Sequence, residues 1–233
     1  MALTNAKISD LALLVHPLVQ LIVGVMRLSN NMKYFPFHVK LFELLVSVNA
    51  KTGQFVPAAQ YILYPLDTSN LNFFNSKPKP LQDKAIPDTL VSLKFAKKHL
   101  NTQEARDRIV KEVIETMSLY LAANSSSLAF PEIVVPITVL LKKFKKKTSS
   151  GIYKKSVQSF LDLLARQDTH VAQARSKIKD KSLRDPAKLF QQFAVLNQES
   201  NAVSPLKKEQ VKIDKTRSEQ IERRLAVKKT AAN

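Results

Sequence analysis

Apolar residues recur at three- and four-residue spacing along nearly the whole chain, and the period-two alternation of a half-buried strand is hardly visible. That pattern restricts the fold to packed helices. Its stripes are cut by residues that start or stop helices. A first apolar run over about 8–28 is followed by a polar turn from Ser29 to Lys33, and Pro36 then suits the first turn of a second helix. In that helix Phe37, Leu41, Leu44 and Val48 form one stripe, and Val39, Phe42 and Val46 form another. Burial on two sides is expected. The stretch from Asn49 to Gly53 ends it, and Phe55-Val56-Pro57 opens a short helix that Pro65 stops.

Residues 67–88, rich in Asn, Ser, Lys and Pro, read as an extended loop. A short amphipathic segment resumes from Asp88 to Leu100. Thr102 to about Ala123 is the clearest amphipathic helix, with Val110, Ile114, Met117 and Leu121 on one face. Its Glu104/Arg108, Arg108/Glu112 and Lys111/Glu115 pairs have the spacing of exposed helix charges, so these carboxylates read as solvated. A helix from about Pro131 to Lys147 follows, broken by Ser149-Ser150-Gly151. Val157, Phe160, Leu161 and Leu164 begin another, which grows polar toward Lys181. Asp185-Pro186 is a cap-like start for a small helix carrying Leu189, Phe193 and Leu196, the candidate partner-binding residues. Beyond Ser204 the apolar residues are sparse, as in a disordered arm or a helix that docks on a partner.

Three helix entries through an apolar residue plus proline, Phe35-Pro36, Val56-Pro57 and Phe130-Pro131, suggest repetition. The expected fold class is all-α: irregular helical repeats in the manner of a HEAT or armadillo α-solenoid, with an irregular bundle as the alternative. The expected organisation is a helical repeat domain over 1–180, with the loop near 67–88, and a basic, partly helical or disordered tail over 181–233.

The first apolar run, Leu11 to Met26, is too short for a membrane span, which needs about 20 residues, and His16, Pro17 and Gln20 interrupt it. No basic segment precedes it and no small-residue cleavage motif follows. It reads as a buried core helix.

Charge separates the two parts of the chain. Residues 1–141 hold 14 basic and 10 acidic side chains, whereas residues 142–233 hold 23 and 9. Such a surplus is the electrostatic footprint of a polyanion ligand. It is densest at Lys142, Lys143, Lys145, Lys146 and Lys147, continues at Lys154 and Lys155, and returns at Lys207-Lys208, Arg223-Arg224 and Lys228-Lys229. The first seven of these are the candidate RNA-binding residues. Lysines neutralise phosphates with little base preference. Phe144, the one aromatic among them, reads as an anchor for the helix end.

Evidence for catalysis is missing from the pattern. Three glycines, at 24, 53 and 151, form no phosphate loop, dinucleotide fingerprint or nucleophile elbow. Four histidines, at 16, 38, 99 and 170, lie far apart, and His16 and His38 read as packed or capping residues. Cysteine is absent, which removes disulfides and thiolate metal sites. No enzyme, cofactor or metal is expected.

Four blocks, PLVQLIVGVMRL at 17–28, YFPFHVKLFELL at 34–45, TGQFVPAAQYIL at 52–63 and SLAFPEIVVPITVLLKKFKKKT at 127–148, resemble in order the carboxyl-terminal region of the nucleolar complex protein 2 family. The resemblance covers about residues 10–180 and implies a helical-repeat scaffold without catalytic motif. It further implies a place in the nucleolus and nucleoplasm, pairing with nucleolar complex protein 1 or 3, and contact with pre-ribosomal RNA on large-subunit (60S) precursors. Members of that family are much longer, so this chain is expected to be a fragment, a split product or a shortened member, with its first helix in need of a covering partner. A peripheral membrane or trafficking adaptor built on a helical solenoid is the alternative function.

Overall fold

The computed structural model describes residues 2–80, 92–177, 191 and 204–232, with side chains between Leu13 and Arg223. The protein is all-helical. Among the described residues the only extended pairing is an isolated bridge between Lys79 and Thr102. The long helices are α1 (Ala2–Leu28), α2 (Phe35–Thr52), α6 (Gln103–Ala123), α7 (Phe130–Lys147), α8 (Gly151–Ser176) and α9 (Pro205–Ala232). Three short ones connect them: α3 (Ala59–Leu63), α4 (Leu71–Asn75) and α5 (Lys97–Leu100). Within the expected 67–88 loop, Thr68–Asn70 is therefore a 3₁₀ turn and Leu71–Asn75 is α4. Residues 81–88, and with them Asp88, lie outside the described residues.

The boundaries follow the local chemistry. Pro36 and Pro131 occupy the first turns of α2 and α7, where a missing N–H costs nothing. Gly53 caps α2 with φ 69°, the left-handed conformation that a Cβ would disfavour, and its N–H donates to Asn49 O. Thr102 accepts from Ala105 N at the start of α6, and Ser150 from Tyr153 N at the start of α8.

Helix α6 is the hub. It packs on α2, α3, α8 and α9, and its buried residues run most of the way round the helix: Ile109, Val110, Val113, Met117, Tyr120 and Leu121 on one face, with Ala105, Glu112, Thr116, Ser118 and Ala122 on the flanks. The single stripe of Val110, Ile114, Met117 and Leu121 is therefore too narrow: a helix covered on several sides needs more than one apolar face. On α2 the core stripe is Phe35, Val39, Phe42 and Leu45, while Leu44 is exposed. Polar side chains tie the hub to its neighbours. Asn49 donates to Asn124 Oδ1 at 3.0 Å, joining the ends of α2 and α6, and Tyr120 donates to Val56 O at 2.8 Å.

Two expectations about burial change. Helix α1 buries Ile22 and Met26 against the core, yet Leu14, Leu18, Leu21 and Leu28 face outward and are exposed. An apolar sequence on all sides does not guarantee a neighbour on all sides, and α1 packs chiefly on α2. His16 is exposed as well, whereas His38 is buried and packs on Tyr64 at 5.2 Å. His38 Nε2 lies 3.0 Å from Ser29 O and 2.9 Å from Ser29 Oγ, whose own hydrogen goes to Val25 O, so Nε2 is the donor. Burial holds the imidazolium form of His38 below its ordinary pKa.

From Ser204 the chain is helical and docks on the protein's own α6 and α8. Leu206 and Ile213 are buried there, and Ser204 donates to Gln167 Oε1 at 2.9 Å. Arg217 meets Glu43, Glu112 at 3.4 Å and Glu115 at 3.9 Å. Glu112, paired also with Arg108 at 3.7 Å, is 3% exposed, so it is part of a buried seat and not a solvated surface charge. The physical reason is α9, which covers that face of α6.

Candidate polyanion-binding surface

Helices α7 and α8 form an antiparallel pair, and both ends of the pair are fixed. At one end Arg175 of α8 donates two hydrogen bonds to Glu132, at 3.0 and 2.6 Å, and another to Leu128 O. The Arg175 guanidinium holds the Glu132 carboxyl below the usual carboxylate range. Glu132 also sits in the first turn of α7, where the helix dipole favours a negative charge.

At the other end α7 stops at Thr148 and α8 begins at Gly151. Asn75, at the end of α4, caps this turn from the side: it donates to Lys147 O at 3.2 Å and accepts from Ser149 N at 3.0 Å and Ser149 Oγ at 3.1 Å. Beneath it Phe144 is fully buried, edge-on to Phe74 at 5.4 Å, and Phe74 is in turn edge-on to Tyr153 at 5.8 Å. Phe144 is thus the anchor of the helix end. Tyr153 donates to Asp107 Oδ1 at 2.6 Å and accepts from Gln103 Nε2 at 2.8 Å, which ties the start of α8 to α6. Burial and the Asp107 carboxylate push the Tyr153 phenol above its ordinary pKa.

This scaffold brings all seven candidate lysines to one corner, Lys142 to Lys147 in the last turns of α7 and Lys154 and Lys155 in the first turns of α8. They do not form one patch. Lys142, Lys145, Lys146 and Lys154 line a groove between α7 and α8 of about 1020 Å³, and Lys145 donates to Gln158 Oε1 inside it. Lys143 and Lys147 lie outside that groove and follow Pro136 and Leu140 at helical spacing on another side of α7, where Pro136 and Leu140 line a smaller hollow of about 600 Å³ against α3. Among the described residues, Lys142, Lys143, Lys146, Lys147, Lys154 and Lys155 have no carboxylate partner. Positive charge at the C-terminus of α7 is favourable to its dipole, but among the described residues no ion pair offsets the mutual repulsion of these lysines.

Asn75, the residue that fixes the corner, carries no sequence signal, because its partners stand 72 and 74 residues away. Lys77, two residues beyond it and exposed, adds charge to the same segment. The candidate partner-binding residues Leu189, Phe193 and Leu196 lie outside the described residues. Among the described residues no cluster of His, Cys, Asp or Glu has the arrangement to hold a metal ion, and no helix is long and apolar enough to cross a membrane.

A helical body with a basic corner whose lysines pair with no carboxylate among the described residues has the make-up of a binding surface. Comparison with known proteins places it more closely: the chain belongs to the Noc2p family, which it matches over residues 1–212. The match thus reaches past the motif blocks and into α9. Nucleolar complex protein 2 of Drosophila melanogaster is 30% identical over 173 residues, 74% of this chain and 22% of the relative. A NOC2 family protein of Schizosaccharomyces pombe is 28% identical over 171 residues, 73% of this chain and 24% of the relative. The nucleolar complex-associated protein 2 of Arabidopsis thaliana is 28% identical over 171 residues, 73% and 22% respectively. The alignments thus span about a quarter of the length of these relatives. The Drosophila and Arabidopsis names denote nucleolar proteins and no catalytic activity, and the family assignment puts the chain in the nucleus and nucleolus.

Proposed function

We propose that the chain is a non-enzymatic scaffold in large (60S) ribosomal subunit biogenesis, built as a helical repeat of HEAT or armadillo kind. It joins a nucleolar complex partner, protein 1 or 3, and touches pre-ribosomal RNA through Lys142, Lys143, Lys145, Lys146, Lys147, Lys154 and Lys155. The observation that carries this reading is the lysine corner itself: all seven of these cations lack a carboxylate partner among the described residues, and the backbone of the corner is fixed by Phe144 and Asn75. A cationic surface on a fixed backbone binds phosphates without the cost of ordering the chain, and only the lysine side chains lose freedom. Membership in a family of nucleolar complex proteins supports ribosomal RNA as the polyanion.

The test is affinity purification of the chain from nuclei, with identification of bound protein and RNA. Co-purification of a nucleolar complex partner and large-subunit precursor RNA is expected. Recovery of neither, or binding to anionic vesicles in place of structured RNA, would overturn the proposal.

A further inference from the structure

The groove between α7 and α8 has a floor that phosphate binding does not use. Val135 and Val139, one turn apart on α7, are 59% and 46% exposed, and Ala165 of α8 is exposed in the same groove, above the buried Leu161 and Leu164. Phosphates and ribose gain nothing from three exposed aliphatic side chains. A polypeptide helix does, because burying apolar area is its main source of affinity in a groove.

The dimensions and the charges limit the occupant further. Lining residues on α7 run from Pro131 to Lys146, which at 1.5 Å per residue is about 22 Å, the length of a four-turn helix. Charge is graded along the groove. Lys142, Lys145, Lys146 and Lys154 crowd one end, Asp162 lies between, and Asp168 stands among the residues of the other. Gln158 links the two signs, accepting from Lys145 and donating to Asp162.

We infer that this groove receives an amphipathic helix of a partner protein, aliphatic on the inner face and acidic in its first turn. The acidic turn meets the four groove-side lysines. That direction sets the occupant antiparallel to α7, so that its positive dipole end, carrying the acids, adjoins the negative end of α7. With the helix seated, Lys143, Lys147 and Lys155 remain outside the groove and available to RNA. One corner then serves two ligands on different faces. The inference stands on the groove and survives failure of the RNA reading.

The test uses the full chain with isotope-labelled valine methyls and a synthetic fifteen-residue peptide. The peptide carries leucines at helical spacing and three glutamates in its first turn. Saturable shifts of the Val135 and Val139 methyls are expected, with at least tenfold weaker binding by a peptide bearing lysines in place of the glutamates. Val135→Asp with Val139→Asp should abolish binding of the glutamate peptide, read by the fluorescence anisotropy of a dye on the peptide, while leaving helical content intact, since both side chains are exposed. Reversal at Lys142, Lys146 and Lys154 to glutamate should exchange the preference between the peptides. Unmoved methyls, or equal binding of both peptides, would overturn the inference.

Discussion

The α7–α8 corner and the first half of α9 are both basic, and the fold treats them in opposite ways. Arg217 of α9 is surrounded by Glu43, Glu112 and Glu115, drawn from α2 and α6, and its side chain is 15% exposed. The corner lysines have no such carboxylates among the described residues. Net charge alone marks both segments as sites for an anion. The distribution of acids distinguishes them: in α9 the cation holds the protein together, and at the corner it is left for something else. A basic segment becomes evidence for a ligand only once the protein's own acids have been placed.

This contrast can be broken first at its foundations. Phe144→Ala removes a fully buried ring from beneath the corner and should cost about 3–5 kcal/mol in denaturant unfolding, a far larger loss than any lysine change. Arg217→Ala should destabilise by about 2 kcal/mol, because it leaves three carboxylates facing one another with Glu112 buried. The same substitution should free α9 and raise its amide hydrogen exchange. A variant in which Arg217→Ala and Glu112→Gln are combined should recover part of the loss. Asn75→Ala is expected to cost about 1 kcal/mol by stranding Lys147 O and Ser149 N. Increased exchange at residues 147–150, read by the same measurement, would localise that effect to the corner.

The smallest effect concerns pH and falls on α2, away from the corner. Burial lowers the folded-state pKa of His38, so below about pH 6.5 the unfolded chain binds a proton that the native state resists. Stability should fall as pH drops from 7 toward 5, and His38→Gln should flatten that slope. A slope unchanged by the substitution would place the acid sensitivity elsewhere.

Much of the helical order is legible in the sequence because prolines and serines sit where chain geometry requires them. Pro36, Pro131, Gly53 and Ser150 mark real helix ends. Phe144 was readable too, since an aromatic among lysines at the end of an apolar stripe continues that stripe. What the sequence hides is long-range pairing. Glu112 and Arg217 stand 105 residues apart, and nothing local distinguishes a carboxylate that solvent will screen from one that another helix will cover. Helix α1 has the converse problem: its outward leucines look like its inward ones, and only the position of α2 separates them. The division of the lysines between two faces was accessible, as 100° per residue sets Lys142 and Lys146 apart from Lys143 and Lys147. A run of like residues invites reading as a single patch.

The central claim is that the corner binds RNA through its phosphates. It is tested most directly by the salt dependence of binding between the chain, without any partner, and a structured RNA hairpin. Reversal of Lys142, Lys143, Lys145 and Lys146 to glutamate should lower affinity more than tenfold and flatten the slope of log K against log salt by roughly 3. Unfolding stability should hold, because none of the four pairs with a carboxylate among the described residues. A variant that binds with the parent's affinity and salt slope would contradict the account.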